Sequence, residues 1–200
     1  MPTPVAILLS GRGSNFLALH AAIERRKLPA EIVLVLSNAP GTPGLEKARE
    51  RGLEAVCIPH RAESSHEAHD RKVVAALTAA GAEWVCLAGY MRLLTSTFVR
   101  AFPERILNIH PSLLPAFPGL QAQRQALDYG VAITGCTVHL VDEELDHGPI
   151  VVQRVVPVEP DDTQEALSAR ILAQEHRAYP LALRRLLTES WSVDGRRVRF

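Results

Sequence analysis

Apolar and polar positions alternate in blocks along the first half of this 200-residue chain. Val5 to Leu9 is an apolar run that reads as a strand. Asn15 to Arg26 has helical periodicity, with Phe16, Leu19 and Ile23 on one face. Glu31 to Leu36 predicts a second strand, Gly44 to Arg51 a short helix, and Ala55 to Ile58 a third strand. Glu67 to Ala79 predicts a helix with Val73, Val74 and Leu77 inward, and Glu83 to Ala88 a fourth strand. This βαβα order predicts an α/β fold, a parallel sheet with helices on both faces. The second half changes style. Val131 to Val141 and Ile150 to Val158 predict a pair of longer strands. Asp161-Asp162-Thr163 then caps a helix from about Gln164 to Leu187, which Pro180 should kink or interrupt. No repeat, linker or composition break divides the chain, so one domain over 1–200 is expected.

Composition narrows the function classes. Hydrophobic content of 47% and charged content of 22% suit a soluble globular protein. A net charge of zero gives no electrostatic footprint for nucleic acid. No apolar run reaches the roughly 20 residues of a membrane helix. The N-terminus lacks the charged flank of a signal peptide. Cys57, Cys86 and Cys136 are odd in number and lie in apolar runs. They read as buried thiols in a reducing cytosol, not as disulfides or a zinc site. A cytoplasmic location is expected.

Three polar clusters carry candidate chemistry. Asn108-Ile109-His110-Pro111 ends the buried strand that begins at Arg105-Ile106-Leu107. Residues i and i+2 of a strand share a side, so Asn108 and His110 present an amide beside an imidazole. That pair suits acyl or formyl transfer: one group holds an oxyanion and the other moves a proton. The second cluster is the loop Ser10-Gly11-Arg12-Gly13-Ser14-Asn15, between a strand and a helix, where an anion could sit. Phe16 occupies the place of a third glycine, and Ser37-Asn38 stands where a dinucleotide site needs an acid. A single phosphate therefore fits better than NAD or FAD; a plain turn with a helix cap is the alternative. The third is Asp142-Glu143-Glu144-Leu145-Asp146-His147, whose acids could orient His110 or merely form a solvated loop. His139 reads as a core histidine in preference to a site member, and His66 and His69 as surface residues without metal-ligand spacing. Asparagine is scarce here, and two of the three, Asn15 and Asn108, fall in these clusters; Asn38 is the third.

Several motifs occur together and in order. They are Ser10 to Asn15, Leu87-Ala88-Gly89-Tyr90-Met91-Arg92-Leu93-Leu94, Asn108 to Pro115, Pro118-Gly119-Leu120, Glu144-Leu145-Asp146 and Gln174-Glu175-His176. In these the chain closely resembles the phosphoribosylglycinamide formyltransferase family, folate-dependent enzymes of purine synthesis. The resemblance implies a Rossmann-like, twisted, mainly parallel sheet flanked by helices, with an antiparallel pair in the second half. It implies formyl transfer from 10-formyltetrahydrofolate, a co-substrate, to the glycinamide amine, with small-molecule partners and no metal, nucleic acid or membrane.

It also implies roles by position. Asn108, His110 and Asp146 match the catalytic trio. Gly13, Ser14, Asn15 and Glu175 match the phosphate and ribose contacts. Met91, Arg92, Leu93 and Leu94, with Asn108 and Asp142, Glu143, Glu144, Leu145 and Asp146, match the folate pocket. His66 stands at a further folate-contact position, where relatives carry Arg. Leu172, Gln121 and Gln123 also depart from the family's usual residues. A cis bond at Leu114-Pro115 is expected on the same ground. Neighbouring readings are a formyltransferase for a sugar amine or for initiator tRNA, a formyltetrahydrofolate deformylase, and a non-catalytic nucleotide-binding module. The tRNA enzyme would add a C-terminal domain and the deformylase an N-terminal one, neither expected here.

Overall fold

The computed structural model describes residues 1–200. The chain divides into two compact units, Met1–Leu107 and Asn108–Phe200.

The first unit is the βα alternation expected. Strands β1 (Thr3–Leu9), β2 (Ala30–Ser37), β3 (Ala55–Cys57) and β4 (Trp84–Leu87) lie in the order β3-β2-β1-β4, all parallel. Val5 through Leu9 are all buried, as a central parallel strand with helices over the sheet requires. The helices are α1 (Ser14–Glu24), α2 (Pro43–Arg49), α3 (His66–Ala79) and α4 (Ser96–Ala101). Phe16 and Leu19 of α1, and Val73 and Leu77 of α3, are buried, while Ile23 and Val74 are half-buried. Helix α4 is too short to leave a periodic signature and was not anticipated. Strand β5 (Ile106–His110) closes the unit and runs across the division.

The second unit holds α5 (Ala122–Tyr129), β6 (Ile133–Leu140), β7 (Ile150–Pro157), α6 (Gln164–Thr188), β8 (Ser192–Asp194) and β9 (Arg197–Arg199). Strands β6 and β7 are antiparallel, as expected, and α6 packs on both. Leu167, Ile171, Ala178, Tyr179, Ala182, Leu183 and Leu186 form the buried stripe of α6. The Thr163 side chain accepts from the Ala166 N–H and caps it. Of the two outcomes expected at Pro180, a kink or an interruption, the interruption does not occur: α6 runs unbroken from Gln164 to Thr188. The apolar stripe is buried on both sides of the proline, so packing outweighs the one backbone bond that its ring removes. The C-terminal pair β8 and β9, antiparallel to each other, was also not anticipated.

The Leu114-Pro115 bond is cis. Thr137 on β6 holds this segment: its hydroxyl accepts from the Leu114 N–H at 3.0 Å and donates to the Ser112 carbonyl at 2.7 Å. Gln153 on β7 donates to the Leu114 carbonyl at 2.9 Å. Gly148 fixes the loop between β6 and β7 in a different way. A Cβ there would stand 1.9 Å from the Leu140 carbonyl oxygen and 3.2 Å from the Asp142 nitrogen. Gly148→Ala is therefore expected to destabilise the protein by about 1–3 kcal/mol, the usual range for overpacking. Thermal denaturation measures this, and an unchanged Tm would show that the loop yields.

Candidate active site

Strand β5 delivers Asn108 and His110 on the same side, and Pro111 ends the strand directly after them. His110 is buried, and its ring lies between two acceptors. Nδ1 is 3.3 Å from Asp146 Oδ2, and Nε2 is 2.9 Å from the Phe117 carbonyl oxygen. A carbonyl accepts only, so Nε2 carries a hydrogen. Both ring nitrogens of His110 thus face oxygen atoms, a carbonyl at Nε2 and a carboxylate at Nδ1.

Asp146 comes from the loop between β6 and β7. Its Oδ2 also accepts from the Gly119 N–H at 2.7 Å. Asp146 has φ 50°, a left-handed conformation that Asp tolerates better than most side chains. Phe117 (φ 54°) and Gly119 (φ 78°) are left-handed as well. Three such residues turn the chain so that one carbonyl and one N–H point at the His110–Asp146 pair.

His139 completes the cluster. It is buried; its Nδ1 is 2.8 Å from the Leu140 carbonyl, its Nε2 is 3.1 Å from Asn108 Nδ2, and Asp146 Oδ1 lies 3.9 Å away. Nδ1 therefore donates to Leu140, and Nε2 accepts from the Asn108 amide. Burial holds the His139 pKa below its ordinary value, which agrees with a neutral ring. One N–H of Asn108 is thereby fixed, and the direction of the other follows from the planar amide. The sequence reading placed His139 in the core; it is buried, and it also touches the site. Strand alternation alone leaves its side open; only the placing of β6 beside β5 brings its ring to the Asn108 amide.

The other candidate residues fall in place by unit. Gly13, Ser14 and Asn15 stand at the start of α1 in the first unit, and Glu175 is buried on α6 in the second. Gly13 has φ 73° and caps α1 with no side-chain bond. A Cβ at Gly13 would lie 2.9 Å from the Gly44 Cα, so backbone meets backbone there. Met91, Arg92, Leu93 and Leu94 form an irregular segment after β4, with Met91 and Leu93 exposed. Glu143, Glu144 and Leu145 are exposed, whereas Asp142 is tied to His147 Nδ1 at 2.7 Å and to the Glu144 N–H at 3.0 Å. His66 is exposed at the first position of α3.

His69 corrects the surface reading: it is fully buried beside Asp70, with Nε2 3.0 Å from the Ile58 carbonyl. No helical period was violated, because position 69 falls on the Val73 and Leu77 side of α3. All three cysteines are free thiols; Cys57 is half-buried and not buried as expected, and burial pushes the Cys136 thiol up to about 12. No helix is long and apolar enough to cross a membrane.

The mixed, mainly parallel sheet flanked by helices, ending in an amide–imidazole–carboxylate cluster, defines a class. The chain belongs to the formyl transferase family, whose model matches residues 3–183. It is similar to the phosphoribosylglycinamide formyltransferase of Escherichia coli, 41% identical over 96% of this chain and 88% of that protein. It is also 47% identical to glycinamide ribonucleotide transformylase 1 from Symbiobacterium toebii, whose crystal structure matches with a TM-score of 0.97, covering 99% of this chain and 93% of that one. A third relative, the trifunctional purine biosynthetic protein adenosine-3 of Drosophila melanogaster, is 46% identical over 92% of this chain, which spans only 14% of that protein's length.

Proposed function

We propose that this chain transfers a formyl group from 10-formyltetrahydrofolate to the amine of 5-phosphoribosylglycinamide in purine synthesis. The observation that carries the reading is the cluster of Asn108, His139, His110 and Asp146, in which both histidines are buried. It occurs in a chain alike, over nearly its whole length, to enzymes of that name. The family match crosses both compact units, which supports one functional domain over 1–200.

Roles follow from the geometry. The amine attacks the formyl carbon, and the carbonyl oxygen becomes an oxyanion. Asn108 donates its remaining amide N–H to that oxygen, with His139 holding the amide in place. His110, charged and backed by Asp146, adds a second donor and gives its proton to the departing folate nitrogen; the proton lost by the attacking nitrogen then returns to the neutral imidazole, directly or through a water. The formyl donor replaces the Phe117 carbonyl at His110 Nε2. In the first unit, Gly13, Ser14 and Asn15 are assigned to the phosphate, and Met91 to Leu94, with His66, to the folate; in the second, Glu175 is assigned to the ribose and Asp142 to Asp146 to the folate.

The reading is tested by incubating the purified chain with 10-formyltetrahydrofolate and the phosphorylated amine. The expected result is formylation of the amine in step with loss of the folate formyl group. Loss of formyl at the same rate without the amine would mean transfer to water, and no loss at all would leave a binding module.

A further inference from the structure

Two side-chain relays in the first unit end on the backbone at either edge of Met91–Leu94. In the first, the Met91 N–H donates to Ser10 Oγ at 2.8 Å, and the Ser10 hydroxyl donates to Asn38 Oδ1 at 2.6 Å. His60 Nδ1 lies 3.2 Å from Asn38 Nδ2 and 2.9 Å from the Asn38 carbonyl oxygen. In the second, the Thr95 N–H donates to Asp70 Oδ2 at 2.7 Å. Asp70 Oδ1 is 3.4 Å from His69 Nδ1, whose ring reaches the Ile58 carbonyl. The two relays meet where the His60 and His69 rings pack edge to face, with centroids 6.4 Å apart.

These groups are costly to place. Asn38, His69 and Asp70 have relative exposures of 3%, 0% and 0%. A buried carboxylate–imidazole pair gains little over apolar packing, because desolvation offsets the attraction. A network of this kind is better explained by what it orders. It orders a segment that cannot order itself: Met91 and Leu93 are exposed, and residues 91–95 belong to no helix or strand. Tying the N–H of Met91 and of Thr95 holds the backbone at both edges and leaves the side chains between them for a ligand.

We propose that Ser10, Asn38 and Asp70 are positioning residues that preset the Met91–Leu94 backbone for the flat ring of the formyl donor. This rests on the reading that Met91–Leu94 lines the donor pocket. A preset loop does not pay its ordering entropy on binding, so the relays act on donor affinity and not on the chemical step.

Ser10→Ala and Asp70→Ala should each raise the donor KM about tenfold, the worth of one lost hydrogen bond, with kcat at saturating donor within about twofold. Asp70→Asn, which can still accept from the Thr95 N–H, should restore the donor KM. Amide exchange at Met91 and Thr95 should quicken by about tenfold or more in the alanine variants, with exchange in β1 and β2 unaltered. Leu93→Asp, made in the lining itself, separates the two claims. A donor KM that responds to Leu93→Asp but not to Ser10→Ala or Asp70→Ala overturns the relays and leaves the pocket. A donor KM indifferent to all three sinks the pocket reading, and the exchange rates then decide: quickened exchange upholds the pinning, unaltered exchange overturns it. Should Asp70→Ala not fold, Ser10→Ala carries the test, because it removes a single hydroxyl.

Discussion

Replacing His110 with alanine is expected to lower kcat by about 10²-fold or more, the usual worth of a positioned acid–base group. The donor KM should change far less, because the ring acts where charge develops and not on the ground state. The imidazole lies between Asp146 Oδ2 at 3.3 Å and the Phe117 carbonyl at 2.9 Å, and is buried. On the proposed mechanism, removing it takes away an oxyanion donor and a proton carrier together. Asp146→Asn tests the same pair from the other side. The amide can still accept from the Gly119 N–H that Asp146 now binds, so the loop should keep its shape. It cannot offset a positive ring, so turnover should fall while donor binding stays largely intact. Single-turnover formyl transfer with both variants measures this, and unchanged turnover in both would rule out the pair.

Removing the phosphate from the amine substrate is expected to cost several kcal/mol in kcat/KM for the amine, at about 1.5–3 kcal/mol for each charge-assisted hydrogen bond. The donor KM should barely move. The ground for this lies in how α1 begins. Gly13 caps it in the left-handed conformation without a side-chain bond, and its backbone runs against Gly44. A helix start with no side-chain cap presents its first N–H groups and the positive end of its dipole to an anion. Ser14 and Asn15 add polar side chains at the same turn. Asn15→Ala should remove part of the discrimination between phosphorylated and dephosphorylated amine. If the unmodified protein formylates both amines equally well, the loop is only a turn, and the sugar-amine reading moves ahead of the purine one.

Much of this was legible in one dimension, and the exceptions share a cause. The strands β1 to β4 could be read because each is a short apolar run between turn signals, and β6 and β7 because they are long and β-branched. Helices α4 and α5 bury only Phe98, and Ala122 with Ala126, too few apolar positions to mark a face. Strands β8 and β9, of three residues each, exist only because they pair. Pro180 carries a strong local signal for a break, yet the apolar stripe from Leu167 to Leu186 keeps α6 whole. His69 looked like a surface group on a polar helix, but its partners, Asp70 and the Ile58 carbonyl, bury it.

By itself the sequence determined the residue types of the site and their local directions. Asn108 and His110 share a side because a strand repeats every two residues, and Pro111 ends that strand because it has no N–H to give. Those are short-range facts of covalent geometry. Only the tertiary structure decided that Asp146, 36 positions beyond His110, stands 3.3 Å from its ring, and that His139 holds the Asn108 amide at 3.1 Å. Such pairings depend on the register of β6, on the close approach at Gly148, and on left-handed turns at Phe117 and Asp146. Each is set by many weak contacts acting together, and no local pattern encodes it.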